Sequence, residues 1–276
     1  MQNLHGANSR AFVPTMGSLH AGHIALVAQA KQTASQTVAS IFVNRLQFLP
    51  TEDFASYPRT FDADCAALSA AGCDVLFAPD ESELYPQDQA FKVTPNPMIA
   101  DLLEGAFRPG FFTGVCTVVM KLFQCVQPSI AVFGKKDYQQ LAVVKQMVAQ
   151  FALPIQIVSG ETVRESDGLA MSSRNAFLSK TEREQAVLLS QLMRLCGQTI
   201  ASNPLHADAL RTLEAQAMDT LKREGWNPDY FAICNQGELT PAISTQSKDS
   251  DNNLVILAAA KIGKTRLIDQ LEIDSI

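Results

Sequence analysis

Long apolar runs are missing from this 276-residue chain. No stretch approaches the ~20 consecutive apolar residues that a membrane-spanning helix needs. The opening residues, MQNLHGANSR, lack the apolar centre of a secretion signal. Positive charge is also short. There are 22 Lys and Arg against 28 Asp and Glu, a net charge of −6, so broad electrostatic binding to nucleic acid is disfavoured. Histidine is scarce at four residues. The six cysteines, at 65, 73, 116, 125, 196 and 234, are scattered with no C-x-x-C spacing. That excludes a disulfide framework and a zinc-finger pattern, and it suggests reduced thiols buried among apolar neighbours in a reducing compartment. The reading is a cytoplasmic protein that uses neither membrane nor nucleic acid.

What remains is a globular composition, 47% hydrophobic and 18% charged, long enough for one large domain or two smaller ones. From AFVPT at residue 11 to about residue 160, short β-branched or apolar runs alternate with helical periods four or five times. That alternation argues for an α/β fold, a parallel sheet with helices on both faces. Beyond that point two amphipathic helices, SKTEREQAVLLSQLMRLCGQ and PLHADALRTLEAQAMDTLKREG, precede three strand-like runs, DYFAICN, NLVILAAAKIG and TRLIDQLEI. This is a smaller α+β unit. The division is placed at residues 1–161 and 162–276.

Ligands of open parallel sheets sit beyond the carboxyl ends of the strands. Three polar loops begin where predicted strands end: VPTMGSLH, FVNRLQF and FGKKDYQQ. The first leads into His20 and His23, spaced as i and i+3 on one helix face. A helix N-terminus attracts anions, so the imidazoles can serve as phosphate donors. The competing readings are a capping pair and a zinc site. Zinc needs a third or fourth ligand, and His5 and His206 lie in weak contexts. In FGKKDYQQ, Lys135 or Lys136 can neutralise a phosphate and Asp137 can cap a helix, bind a ribose hydroxyl or hold a metal. RESDGLAMSSRN adds Ser172, Ser173 and Arg174 in a flexible polar stretch, suited to a mobile phosphate clamp or to a solvated linker. Asn44 and Gln47 close the second strand with neutral amides, fit for a small polar substrate or for turn chemistry.

The ordered set VPTMGSLHAGH, SIFVN-x-x-QF, YPRT, FGKKDYQQL, VRESDGLAMSSRN and TRLID resembles the pantoate–β-alanine ligase family of the nucleotidylyltransferase superfamily. The resemblance runs from about Phe12 to Asp269. It implies a Rossmann-like doubly wound sheet with a C-terminal lid, a homodimer, and ATP with magnesium. It also implies the two-step joining of pantoate to β-alanine through pantoyl adenylate, giving pantothenate, AMP and pyrophosphate. ATP would contact Met16, Gly17, Ser18, Leu19, His20, Ala21, Gly22, His23, Gly134, Lys135, Lys136, Asp137, Val163, Met171, Ser172, Ser173 and Arg174. His23 takes the position of the proton donor, with His20, Lys136 and Arg174 beside it in catalysis. Gln47 and Gln140 take the pantoate positions. Asp62 and Asp64 are candidate magnesium contacts. The chain departs from the family's pattern at Arg45, where proline is usual, at Phe111, where histidine is usual, and in a short stretch before the first strand. The alternatives are another adenylate-forming member of the superfamily and a non-catalytic ATP-binding relative.

Overall fold

A computed structural model describes residues 9–50, 52–202, 205–243 and 253–273. His5 and residues 244–252 of the polar segment 236–253 lie outside the described residues. The chain divides into two compact units. One comprises the residues up to Lys135 together with Gln140–Val163, the other Lys136–Gln139 together with Arg164–Ile276.

In the first unit five strands, β1 (Arg10–Thr15), β2 (Gln36–Ile41), β3 (Val75–Phe77), β4 (Ile130–Gly134) and β5 (Gln156–Gly160), form one parallel sheet in the order β3-β2-β1-β4-β5. The chain winds outward from β1 through β2 to β3, then crosses back to β4 and on to β5. The order therefore reverses between β1 and β4, the point where such sheets open a crevice. The middle strands are apolar on both faces, as helix-covered parallel strands must be. Ala11, Phe12 and Val13 of β1 and Ala131 and Val132 of β4 have no exposed surface. The crossovers carry α1 (Ala21–Lys31), α2 (Phe61–Ala70), three short helices α3 (Glu81–Leu84), α4 (Pro97–Ala100) and α5 (Glu104–Phe107), α6 (Phe111–Val126) and α7 (Tyr138–Gln150). The short helices fall in a stretch for which the sequence offers no clear period.

Helix α2 ends as its sequence predicts. Gly72 sits at φ +70°, Gly72 N–H donates to Ser69 O and Cys73 N–H donates to Leu68 O, which satisfies the terminal carbonyls. Helix α6 is the apolar one, and it crosses very close to the 3-10 turn Arg45–Gln47. A Cβ on Gly114 would overlap the carbonyl of Leu46 and come within 2.7 Å of Gln47 N.

The second unit holds an antiparallel sheet, β6 (Asn227–Asn235), β7 (Leu254–Ile262) and β8 (Thr265–Ile273), with α9 (Val187–Ser202) and α10 (Ala207–Arg223) covering it. The sequence predicts one helix over residues 179–198, and the structure breaks it in two. A short α8 (Lys180–Gln185) is capped by Ser179, whose Oγ accepts Glu182 N–H while Glu182 accepts Ser179 N–H. Helix α8 buries no residue, whereas the buried stripe of α9 starts at Leu189. The break at Ala186, itself fully buried, lets that stripe turn onto the sheet while the capped turn stays in solvent.

The expectation of buried thiols holds for three cysteines. Burial pushes Cys116 and Cys234 up to about 12 and Cys196 up to about 11. Cys65 and Cys73 are half-buried and Cys125 is exposed; all six are free.

The close crossing of α6 gives a test of the first unit's packing. Gly114→Ala is expected to destabilise that unit by about 1–3 kcal/mol in urea titration, the usual penalty of overpacking. Gly237→Ala, where an added methyl meets nothing within 4 Å, is expected to be silent. Equal stability of the two variants would mean that the 45–47 turn yields freely.

Candidate active site

The loop after β1 turns sharply. Gly17 and Ser18 both take left-handed backbone, φ +81° and +51°, and Thr15 Oγ1 accepts Gly17 N–H at 3.2 Å. Asp64, from the first turn of α2, is 2% exposed. Its Oδ2 accepts Ser18 N–H and its Oδ1 accepts Leu19 N–H, both at 2.8 Å. Thr60 Oγ1 donates to Asp64 Oδ1 at 3.1 Å.

His20 is not in the helix, as its spacing predicts, but is its N-cap. Its Nδ1 accepts Gly22 N–H at 3.1 Å, and His23 Nδ1 accepts His20 N–H at 3.3 Å. The two imidazoles thus form a reciprocal capping box, in the roles usually played by a hydroxyl and a carboxylate. Their ring centroids lie 4.1 Å apart. The capping reading and the phosphate-donor reading are therefore compatible, because they use different nitrogens. A neutral imidazole whose Nδ1 accepts a hydrogen bond carries its proton on Nε2. The cap makes both rings Nε2–H donors. His23 and Ile24 N–H both donate to His20 O, so the first-turn amides of Gly22, His23 and Ile24 are all engaged within the motif. The helix dipole and the far sides of the imidazole rings are not spent in those hydrogen bonds. Val163 lies beside this turn, 3.9 Å from where a Gly22 Cβ would be.

The loop after β2 meets the first loop. Gln47 Nε2 approaches Met16 Sδ at 3.3 Å, and Gln47 Oε1 accepts from Asn44 Nδ2 at 3.1 Å. Asn44, 1% exposed, also donates to Gly114 O and accepts from Tyr85 Oη at 2.9 Å. Burial, with Glu81 nearby, raises the Tyr85 phenol far above its ordinary value, so it stays a donor. Tyr85 carries no sequence signal for this role, since it stands 41 positions from Asn44. The two departures from the family pattern have local partners. Arg45 makes a bidentate pair with Glu81 and lies over the Phe54 ring. Phe111 lies under the Arg108 guanidinium at 3.7 Å, and Arg108 donates to Glu52 and to Gln47 O. Neither replacement removes the Asn44–Gln47 contact.

At the end of β4, Gly134 packs over Leu26 of α1, and Lys135 pairs with Glu161 at 2.6 Å. Gln140 is half-buried in the first turn of α7. Lys136 and Asp137 belong to the second unit's share of the chain. There MSSR runs into a short turn of helix. Ser172 caps a 3-10 helix, Ser173–Phe177, by accepting Arg174 N–H, and Asn175 Nδ2 donates to Ala170 O. Met171 stands just before that cap, half-buried. The turn before it is tied to β8 by Arg164, which makes a bidentate pair with buried Asp269 at 2.7 and 2.9 Å and donates to Gly168 O and Gln270 O. Sequence reasoning gives Arg164 and Asp269 no role, although both sit inside the quoted motifs.

The magnesium candidates fit poorly. Asp64 is committed to backbone N–H groups, and Asp62 is exposed in the first turn of α2, where a carboxylate favours the helix dipole. Among the described residues no three His, Cys, Asp or Glu side chains are grouped to hold a metal ion. Among them, too, no helix is long and apolar enough to cross a membrane.

Comparison with known proteins agrees with this geometry. The sequence model of the family described as pantoate-beta-alanine ligase matches residues 1–272. A pantothenate synthetase of Verminephrobacter eiseniae is 59% identical over 269 residues, 95% of this chain and 92% of that protein. The crystal structure of pantothenate synthetase from Thermus thermophilus superposes with a TM-score of 0.89 at 41% identity, covering 98% of this chain and 95% of that one. The pantoate-beta-alanine ligase of Francisella tularensis, solved with beta-gamma ATP and beta-alanine, superposes at 0.78 and 35% identity over 95% and 89% of the two chains. By sequence over nearly its whole length and by fold, the chain belongs to the pantoate–β-alanine ligase family.

Proposed function

We propose that this chain joins pantoate to β-alanine with ATP, forming pantothenate, AMP and pyrophosphate. In the first step a pantoate carboxylate oxygen bonds to the α-phosphorus and the bond to the bridging oxygen of pyrophosphate breaks. In the second, the β-alanine amine attacks the acyl carbon of pantoyl adenylate and AMP leaves. No nucleophilic side chain is needed, because the substrate supplies the nucleophile. The protein has to hold the reactants and to stabilise charge that builds on the phosphoryl oxygens.

The observation that carries this reading is the reciprocal imidazole cap. It presents His20 and His23 as fixed Nε2–H donors at a strand's carboxyl end, in the family's H-x-G-H position. Such donors are in place before charge develops, so no reorganisation opposes their action. Lys136 and Arg174 are assigned to the triphosphate by the family resemblance, with Ser172 and Ser173 beside them. Gln47, tied to Met16 and Asn44, is assigned to pantoate together with Gln140. Magnesium would be held mainly by phosphate oxygens and water, with at most one or two carboxylates, as is usual for this ion. The six free cysteines favour a cytoplasmic setting, and a homodimer is the assembly the family resemblance implies.

The assay is product analysis. Sustained release of AMP and pyrophosphate should need ATP, magnesium, pantoate and β-alanine together; without β-alanine, pyrophosphate should appear only to about one equivalent per site, and AMP should not accumulate. ADP formation, or AMP release indifferent to pantoate, would sink the reading and favour another superfamily activity. No turnover at all would favour a non-catalytic relative.

The imidazoles can be tested apart from their capping role. Asn reproduces an acceptor near the Nδ1 position but has nothing at Nε2. His23→Asn should keep stability within about 1 kcal/mol, because from the N3 position Asn Oδ1 can still accept His20 N–H. It should lower adenylate formation roughly a hundred- to thousandfold, the scale of losing one transition-state donor. A variant that turns over normally would remove His23 from the chemistry.

A further inference from the structure

Asp64 is buried, carries a formal negative charge, and lies under a loop assigned to the most anionic substrate of the reaction. Taken alone, it should repel a triphosphate. Its contacts explain its presence. Consecutive left-handed residues, Gly17 and Ser18, turn backbone N–H groups toward one point, the arrangement that makes an anion-binding concavity. The anion in that concavity is Asp64: one oxygen takes Ser18 N–H and the other Leu19 N–H, each at 2.8 Å. The third contact, from Thr60 Oγ1, comes from the residue that starts α2. The geometry is tight, since a Cβ on Gly17 would lie 3.1 Å from Asp64 Oδ2. Left-handed backbone at a non-glycine residue such as Ser18 is costly and persists only where surrounding structure holds it.

We infer that Asp64 is a positioning residue for catalysis: an internal anion that locks the turn 17–19 and thereby sets His20 and His23 for the phosphates. The carboxylate acts through the two residues that immediately precede His20. His20 N–H, the donor to His23 Nδ1, follows directly on the Leu19 amide that Asp64 holds. The inference has a second consequence. With their N–H groups turned to Asp64, Ser18 and Leu19 are not amide donors to ATP. Recognition at this loop falls to the imidazoles. Specificity for a phosphate at that point then comes from Nε2–H groups with fixed direction.

The inference rests on the ligase reading for its catalytic half, and its structural half can be measured without it. In the native full-length chain, amide hydrogen exchange at Ser18 and Leu19 should be slow. Asp64→Asn, nearly isosteric, replaces one acceptor with a donor that faces an N–H. It should speed exchange at one or both amides at least tenfold while amides in β1 and β4 keep their protection. In steady-state assays the same variant should lower kcat for pyrophosphate release at least tenfold and leave KM for pantoate within twofold. Should Asp64→Asn fail to fold, Thr60→Ala removes one of the contacts to the same carboxylate. It should then give the same pattern at reduced size. Unchanged exchange at Ser18 and Leu19, or a kcat loss that only tracks the folded fraction, would overturn the inference. Absence of activity in the unmutated protein, with the exchange pattern as stated, would count against the ligase reading and not against the clamp.

Discussion

Two hydrogen bonds between imidazole and backbone organise the site. A helix start leaves N–H groups that something must accept. Elsewhere in this chain a serine and a glutamate do it, at Ser179 and Glu182. At α1 the same box is built from His20 and His23. A hydroxyl cap spends its only oxygen on the backbone, whereas an imidazole has a second nitrogen on the far side of the ring. The cap therefore fixes the ring's orientation and, by occupying Nδ1 as acceptor, its tautomer. Local stability and chemistry are served by one group without competition between them.

The remaining structure supports that turn. The crossing order of the sheet puts β1 and β4 side by side, so the loops after both emerge at the topological switch. The second loop is drawn to the first by the chain Tyr85–Asn44–Gln47–Met16, and it is seated on α6 through the close approach at Gly114. In the second unit a guanidinium plays a comparable part, as Arg164 joins the turn before MSSR to β8 through a buried carboxylate. In both units the groups assigned to substrate stand on loops or in the first turn of the element that follows, and the loops around Met16, Gln47 and MSSR are each tied to a residue distant in sequence.

That distance decides how much the sequence discloses. The strands and long helices of the first unit are legible, because a buried parallel strand such as IAVFG is continuously apolar and a helix such as FDADCAALSAAG ends at a glycine that the motif demands. His20 and His23 are legible as a pair with capping among its readings, but spacing alone cannot select that reading, because it cannot say whether a helix begins at residue 19 or 21. Asp64 resembles a metal contact in the sequence, since an acidic residue there carries no sign of which donors will surround it. Tyr85, Arg164 and Asp269 are invisible as positioning groups, their partners lying 41 to 105 positions away. The break at Ala186 escapes a reading of periodicity because a helical period continues across it while the buried face changes.

The central claim concerns the tautomer, and nitrogen NMR of the imidazoles reads it directly. With 15N-labelled histidine and single substitutions for assignment, His20 and His23 at neutral pH should each show an unprotonated Nδ1 and a protonated Nε2, already in the absence of nucleotide and unchanged when ATP is added. A protonated Nδ1 on either ring in the nucleotide-free protein, or a tautomer that switches on binding, would contradict a site that is set in advance by its own helix cap.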